Sequence, residues 1–346
     1  MLRRLLKNFR FSVLPVPGRF IAVVFFVVLF ILPLLGASRY TLLILSFACV
    51  NAIFAVSWDV LSGYSGQVNF GQALFFGAGA YGSALLYKYA GVPPGAAIPL
   101  GAVAAALLGI VTCFPALRLR GPYLSLITLA FPLLFQELVR GFDVTGGYLG
   151  IRGLPKLAPT PAGQYYVCLA VMTVSVLIMW KLTDAGSRYI RTGLIFHAIR
   201  EDEIAARASG INTIRYKILA FALGGFFGGI AGGLYAHLMG TAGYATFSMT
   251  KSFDAIIWAI FGGMVSIYGP VAGAFVLYPL VQALTGTVVG NYNYIIMAIL
   301  VIAVLLFMPQ GIAVWIREKI ERECPRCKLS NAAWRKECRA CGASLR

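Results

Sequence analysis

Between residues 20 and 308 the chain is apolar in run after run, each about as long as a bilayer is thick. A helix needs ~20 apolar residues, with ~17–25 tolerated, to cross the hydrocarbon core. Runs of that kind lie at 20–36, 40–61, 70–90, 96–117, 122–139, 165–182, 216–239, 253–268, 270–289 and 294–308. Inside lipid every backbone polar group must find a partner, and runs of this length satisfy that as helices. With 60% of residues hydrophobic and 12% charged, the chain carries about half the ~25% charge of a soluble domain. One water-soluble core could not hide so much apolar surface. The expected fold is an all-α polytopic membrane protein. It has about ten transmembrane helices in two five-helix halves, a pattern that suggests an inverted repeat with broken helices.

The net charge of +17 is concentrated outside the apolar runs: of 29 Lys and Arg, five lie in residues 1–19, seven between Lys181 and Lys217, and nine after residue 316. Positive residues beside spans mark the cytoplasmic side. With the N-terminus inside, ten crossings bring Arg118, Arg120, the Lys181–Lys217 loop and the C-terminus to that same side. Attraction to anionic membrane lipid follows from the same charge. Arg3, Arg4, Lys7 and Arg10 precede an apolar run too long for a usual signal peptide, so that run reads as an uncleaved first span. The expected division is a basic cytoplasmic N-terminus at 1–19, a membrane domain at 20–312 with a cytoplasmic loop at 183–215, and a cytoplasmic tail at 313–346.

Two Gly-rich breaks interrupt the apolar pattern, Gly63–Gly71 in the first half and Gly262–Gly273 in the second; the third and eighth runs read as weak or half-crossing spans for that reason. In the first break Gly66, Gln67, Asn69, Gly71 and Gln72 put amide side chains and flexible backbone into apolar surroundings. Uncharged amides there must find hydrogen bonds, and glycine lets the backbone unwind. These residues suit a solute path or, equally, a loop whose amides cap helix ends. In the central loop, Arg200-Glu201-Asp202-Glu203-Ile204-Ala205-Ala206-Arg207 reads as one short helix. Acids at its start and Arg207 near its end match the helix dipole, and Gly210 stands where a left-handed residue would stop it. Taken alone, an ordinary surface helix is the more economical reading; a docking helix for a partner is the other.

The tail holds Cys324-Pro-Arg-Cys327, ten residues, then Cys338-Arg-Ala-Cys341-Gly342. Two Cys-x2-Cys knuckles fit a four-thiolate structural zinc ion, in the manner of a zinc ribbon spanning 324–341. Paired disulfides and a redox dithiol are the competing readings; a cytoplasmic location disfavours stable disulfides. Arg326, Lys328, Arg335, Lys336 and Arg339 decorate the tail, and a solvated docking surface accounts for them without nucleic acid.

Other residues attract attention and have plainer explanations. Gly224, Gly228 and Gly232, each with a second glycine beside it, form a stripe along which another helix can approach closely. His197 and His237 are isolated. Asp59, Glu137 and Asp254 lie near the ends of apolar runs; an ion-coupled secondary transporter, the alternative function, would draw its ion-binding carboxylates from them. A membrane protease is disfavoured by the lack of His-Glu-x2-His and of a Gly-x-Ser-x-Gly elbow. No Lys follows a Gly, so a phosphate-binding loop is missing and the chain is not itself an ATPase.

Taken together, Gly63-Tyr-Ser-Gly-Gln, Phe75-Phe-Gly-Ala-Gly-Ala-Tyr81, Leu117-Arg-Leu-Arg-Gly-Pro-Tyr123, Thr128-Leu-Ala-Phe131, Gly150-Ile-Arg-Gly-Leu-Pro155, Glu203-Ile-Ala-Ala, Gly210-Ile211 and Gly262-Gly263 resemble, in order, the permeases of branched-chain amino acid ABC importers, specifically the longer-chain type. The resemblance covers about 40–312. It implies a transport subunit, not an enzyme, that forms the path for branched-chain or related amino acids in a prokaryotic inner membrane. It also implies that Arg200, Glu201, Glu203, Ala205, Ala206 and Gly210 belong to a coupling loop gripped by cytoplasmic ATP-binding subunits, which hydrolyse the ATP. A companion permease and an external solute-binding protein are implied too. The chain departs from the family pattern at Gln72, where His is common, at Asn69-Phe70, where Ser-Leu is common, and in its cysteine-bearing tail.

Overall fold

The computed structural model describes residues 17–117, 119, 122–184, 191–285, 293–326, 330–338 and 341–344. In chain order the helices are α1 (Pro17–Ile31), α2 (Arg39–Trp58, prolonged by π-helix at Asp59–Tyr64), α3 (Gln72–Ala90), α4 (Pro94–Ala116), α5 (Pro122–Gly141), α6 (Pro161–Thr183), α7 (Thr192–Glu201) and α8 (Glu203–Ala208). They continue with α9 (Thr213–Met239), α10 (Met249–Gly262), α11 (Tyr268–Thr285), α12 (Asn293–Phe307) and α13 (Ile312–Ile320). The strands among the described residues form two short antiparallel pairs. Strands β1 (Ile151–Arg152) and β2 (Thr241–Ala242) join the segments after α5 and α9, and β3 (Glu321–Glu323) pairs with β4 (Ser330–Ala332) in the tail.

Among the described residues six stretches are long and apolar enough to cross a membrane: Arg39–Tyr64, Pro94–Ala116, Tyr123–Gly141, Pro161–Thr183, Thr213–Met239 and Ala298–Ile320; Phe20–Leu35 and Tyr268–Leu284 are shorter apolar helices. The chain is an all-α polytopic membrane protein. Of the two suspect spans, 70–90 contains a continuous 19-residue helix, α3. At ~1.5 Å per residue that is ~28 Å, close to the hydrocarbon thickness. The 253–268 run overlaps a 14-residue helix, α10, that starts at Met249 and stops at Gly263 with φ 117°. At ~21 Å it is a partial crossing.

Helix starts follow ordinary chemistry. Ser38, Thr160 and Asn212 accept hydrogen bonds from Thr41, Gly163 and Arg215 N–H groups, capping α2, α6 and α9. The core forms where α9 passes between α2/α3 on one side and α4 on the other. A Cβ on Gly225 would lie 2.7 Å from the Ala105 carbonyl oxygen, and one on Gly229 would lie 2.7 Å from Ala105 Cβ, both on α4. A Cβ on Gly228 would lie 3.1 Å from Phe75 Cβ, and one on Gly232 would strike the Phe76 carbonyl, both on α3. Each glycine pair thus serves two faces, which is why the stripe is doubled.

Burial separates the inner helices from the outer ones. In Arg39–Tyr64, 78% of the apolar stretch is buried within the chain, against 6% in Ala298–Ile320. Exposed Leu107, Val111 and Phe114 on α4, Val174, Leu177 and Ile178 on α6, and Ile299, Ile302 and Leu306 on α12 form the apolar exterior. Patches of this kind need lipid or another protein to cover them.

Candidate functional site

The first break runs from the π-helical end of α2 to the start of α3. A π segment inside a helix often marks a functional site, because it displaces backbone carbonyls from the regular ladder. Asn69, Gly71 and Gln72 come together there. Asn69 Nδ2 donates to Gln72 Oε1 at 2.9 Å, and Gln72 Nε2 donates to Ser57 Oγ at 2.8 Å. The Gly71 N–H donates to Asn69 Oδ1 at 2.9 Å. Trp58 Nε1 donates to the Asn69 carbonyl at 2.6 Å, and the Asn69 N–H donates to Ser62 Oγ at 3.1 Å. Gly71 has no space for a side chain, because the Thr128 carbonyl of α5 lies where Cβ would be. Thr128 Oγ1 also accepts from the Phe70 N–H, and Ser252 Oγ of α10 accepts from the Ala73 N–H.

The other two residues of the expected path stand apart. Gln67 is buried, and its amide nitrogen has no hydrogen-bond partner. Gly66 has φ 72° and is exposed; a Cβ there would lie 3.2 Å from Arg200 Cα on α7. The first break therefore touches the central loop directly.

In that loop the single helix expected from Arg200 onward is two helices. Asp202 is extended (φ −154°, ψ 106°) and ends α7. Its carboxylate accepts the Ile204 and Ala205 N–H groups at 2.8 and 3.0 Å, capping α8. Gly210, at φ 83°, stops α8 as the sequence suggests, and the Ile211 N–H closes back on the Ala206 carbonyl at 3.1 Å. Ala206 is buried, whereas Arg200, Glu201 and Ala205 are exposed.

Glu203 turns inward. Its carboxylate meets Arg207 at 2.5 Å and Lys217, on α9, at 2.8 Å. Burial opposes its ionisation, but Lys217 and Arg207 outweigh that and hold its carboxyl below the usual range. Glu203 thereby ties α8 to the start of a membrane-crossing helix. The large apolar residues that α7 and α8 turn outward are Leu194 and Ile204, the latter 69% exposed.

In the tail, the sulfurs of Cys324, Cys338 and Cys341 lie within 4.8 Å of one another, with Cys324 and Cys341 3.5 Å apart. A tetrahedral thiolate zinc site, with Zn–S near 2.3 Å, places its sulfurs about 3.8 Å apart, so these residues fit one. Gly342, at φ 67°, turns the second knuckle, and its N–H donates to the Cys338 carbonyl at 3.1 Å. Cys327, the fourth expected ligand, lies outside the described residues.

The tail is fastened to the membrane helices. Glu321 of β3 accepts from the Gly18 N–H of α1 at 2.7 Å and pairs with Arg317 of α13 at 3.0 Å. Arg317 donates in turn to the Tyr268 hydroxyl of α11 at 3.1 Å.

Three other titratable residues singled out in the sequence have partners close by. His237 is buried between Ser83 (2.8 Å) and the Pro155 carbonyl (2.8 Å). Glu137 pairs with Arg140, and Asp254 with Lys251.

A family model described as branched-chain amino acid transport system / permease component matches residues 40–305. The LivM permease protein of the high-affinity branched-chain amino acid transport system of Escherichia coli K12 is 28% identical over 326 residues, covering 86% of this chain and 73% of that protein. A probable LivM permease of Methanocaldococcus jannaschii is 22% identical, covering 62% of this chain and 67% of its own length. The E. coli K12 LivH permease protein is 34% identical over 145 residues, 41% of this chain. No solved structure matches the chain. The match spans both breaks, the central loop and every helix from α2 to α11, and the chain belongs to the family of permease components of branched-chain amino acid transport systems.

Proposed function

We propose that the chain is the membrane-spanning permease subunit of an ATP-driven importer and forms, with a companion permease, the path for branched-chain or related amino acids. The observation that carries this reading is the contact between the first break and the central loop: Gly66 lies against Arg200, and beyond Arg200 the loop turns Ile204 outward. A force applied to α7 and α8 from the cytoplasm would reach the broken helices without an intermediary.

In this reading residues 183–215 are the coupling loop. ATP-binding subunits grip Ile204, Leu194 and the exposed Arg200, Glu201 and Ala205, while Glu203 and Gly210 set the shape of α8. The path passes the first break, where Gln67 offers a free amide and the Asn69–Gln72 pair can exchange partners. An external solute-binding protein delivers the solute to the opposite mouth. The chain sits in a prokaryotic inner membrane, with 1–19, the loop and 313–346 in the cytoplasm and the apolar exterior in lipid.

The tail holds a structural zinc ion through Cys324, Cys338, Cys341 and Cys327. The ion supplies the folding energy that so small a segment cannot draw from apolar burial. Affinity purification in mild detergent, with mass spectrometry of the companions, tests the assembly. Recovery of ATP-binding subunits and a second permease is expected. Recovery of the chain alone, even after crosslinking, would contradict the reading.

A further inference from the structure

We propose that Asp59 is a positioning residue for transport, a latch that holds the second break against the first through the strained backbone of Val265. The inference rests on the importer reading for its transport consequences, and on geometry alone for the latch.

Asp59 is fully buried at the first residue of the π segment, inside a helix long and apolar enough to cross the membrane. Its Oδ1 accepts the Val265 N–H at 2.8 Å, across 206 residues of chain. Val265, at φ 59°, is the single non-glycine residue with positive φ among the described residues. For a β-branched side chain the left-handed region is disfavoured and persists where surrounding contacts impose it.

The backbone on both sides of this contact is closely packed. Gly63 leaves the space that the Asp59 carboxylate fills. On the other side a Cβ on Gly263 would lie 2.6 Å from Val314 Cγ2 of α13 and 2.7 Å from the Gln310 carbonyl oxygen. The second Asp59 oxygen, Oδ2, is buried without a partner. A carboxylate in such a place is costly to keep. Arg200 lies against Gly66, a few residues further along the same break. Motion of the loop, release of the latch and relaxation of Val265 are thereby one event.

The test compares Asp59→Asn, which keeps the acceptor, with Asp59→Ala, which removes it, and Val265→Gly, which removes the strain. The full complex is reconstituted in proteoliposomes. Solute taken up per ATP hydrolysed should fall about tenfold in Asp59→Ala, as expected for loss of a buried hydrogen bond, and recover largely in Asp59→Asn. Val265→Gly should assemble normally and hydrolyse ATP with less uptake per turnover. An unchanged ratio in assembled Asp59→Ala or Val265→Gly, or an Asn variant as defective as Ala, would overturn the proposal. Amide exchange at 263–267 reads the latch without transport, with protection lost in Asp59→Ala and kept in Asp59→Asn. Should wild-type uptake prove independent of ATP, the importer reading fails, while the exchange pattern still judges the latch. If Asp59→Ala does not fold, the Asn and Gly variants carry the test.

Discussion

At Gly232 on α9 there is no room for even a methyl group, because the Phe76 carbonyl occupies its place. In the tail, by contrast, the apolar side chains buried among the described residues are Cys324, Ala332 and Cys338. The membrane bundle is held by helices brought so close that small residues set its geometry. The tail has almost no apolar core, and two of its buried side chains, Cys324 and Cys338, belong to the cysteine cluster proposed to hold a zinc ion. The two regions teach that burial has different sources of stability on the two sides of the same chain. In lipid, close packing must do what the hydrophobic effect does in water. In a segment of about 20 residues in water neither is enough, and the proposed metal would supply the difference.

Substitutions can break this contrast, and the largest effect is expected in the bundle. Gly232→Leu should abolish accumulation of folded protein, because α3 and α9 cannot separate without opening the core; normal membrane levels and a wild-type melting profile would refute the close-packing account. Next comes the metal. Chelation, or Cys338→Ser, should expose residues 321–344 to protease while leaving the helical signal in circular dichroism intact. A tail equally resistant with and without chelator would mean that the cysteines do not hold an ion. One zinc per chain by elemental analysis is the matching positive result.

Smaller effects should appear where the loop meets the membrane. Glu203 has its carboxyl pKa depressed in the folded state. Its contribution is therefore present above the unfolded value, roughly 4.3, and is lost as pH falls through the lower folded value. Glu203→Gln should loosen α8 by about 1 kcal/mol at neutral pH and flatten the acid limb of loop protection measured by hydrogen exchange. An unaltered acid limb would show that Lys217 and Arg207 do not act through this carboxylate. The smallest effect is expected at Gly210, where φ 83° favours glycine. Gly210→Ala should cost about 1 kcal/mol of local stability in α8, read by the same exchange measurement. No change there would argue that the left-handed stop is not maintained.

Much of this architecture was legible from hydropathy. The runs at 40–61, 96–117, 122–139, 165–182 and 216–239 correspond to α2, α4, α5, α6 and α9 to within a few residues, because a span is a local sum over consecutive side chains. The two breaks could be seen for the same reason. Their meeting could not: Asp59 and Val265 are paired by tertiary packing across 206 residues, and no local pattern encodes that. Nor could the sequence show that Glu203 faces Lys217 and that Ile204 faces outward, since a short helix has no periodicity long enough to orient it. Asp202 divided the expected helix because its side chain satisfies two N–H groups better at a cap than within a turn. In the tail, cysteine spacing carried the message, and the geometry of Cys324, Cys338 and Cys341 accords with it.

The central claim is that force delivered to the central loop drives solute past the first break, with ATP as its source. The most direct measurement is uptake of radiolabelled leucine into proteoliposomes holding the purified complex, with ATP supplied on the side of the loop or an ion gradient supplied instead. The account predicts uptake that requires ATP, is indifferent to ionophores and is lost when Ile204→Asp places a charge on the outward face of α8. Uptake that follows the ion gradient, unaffected by ATP or by that substitution, would contradict it.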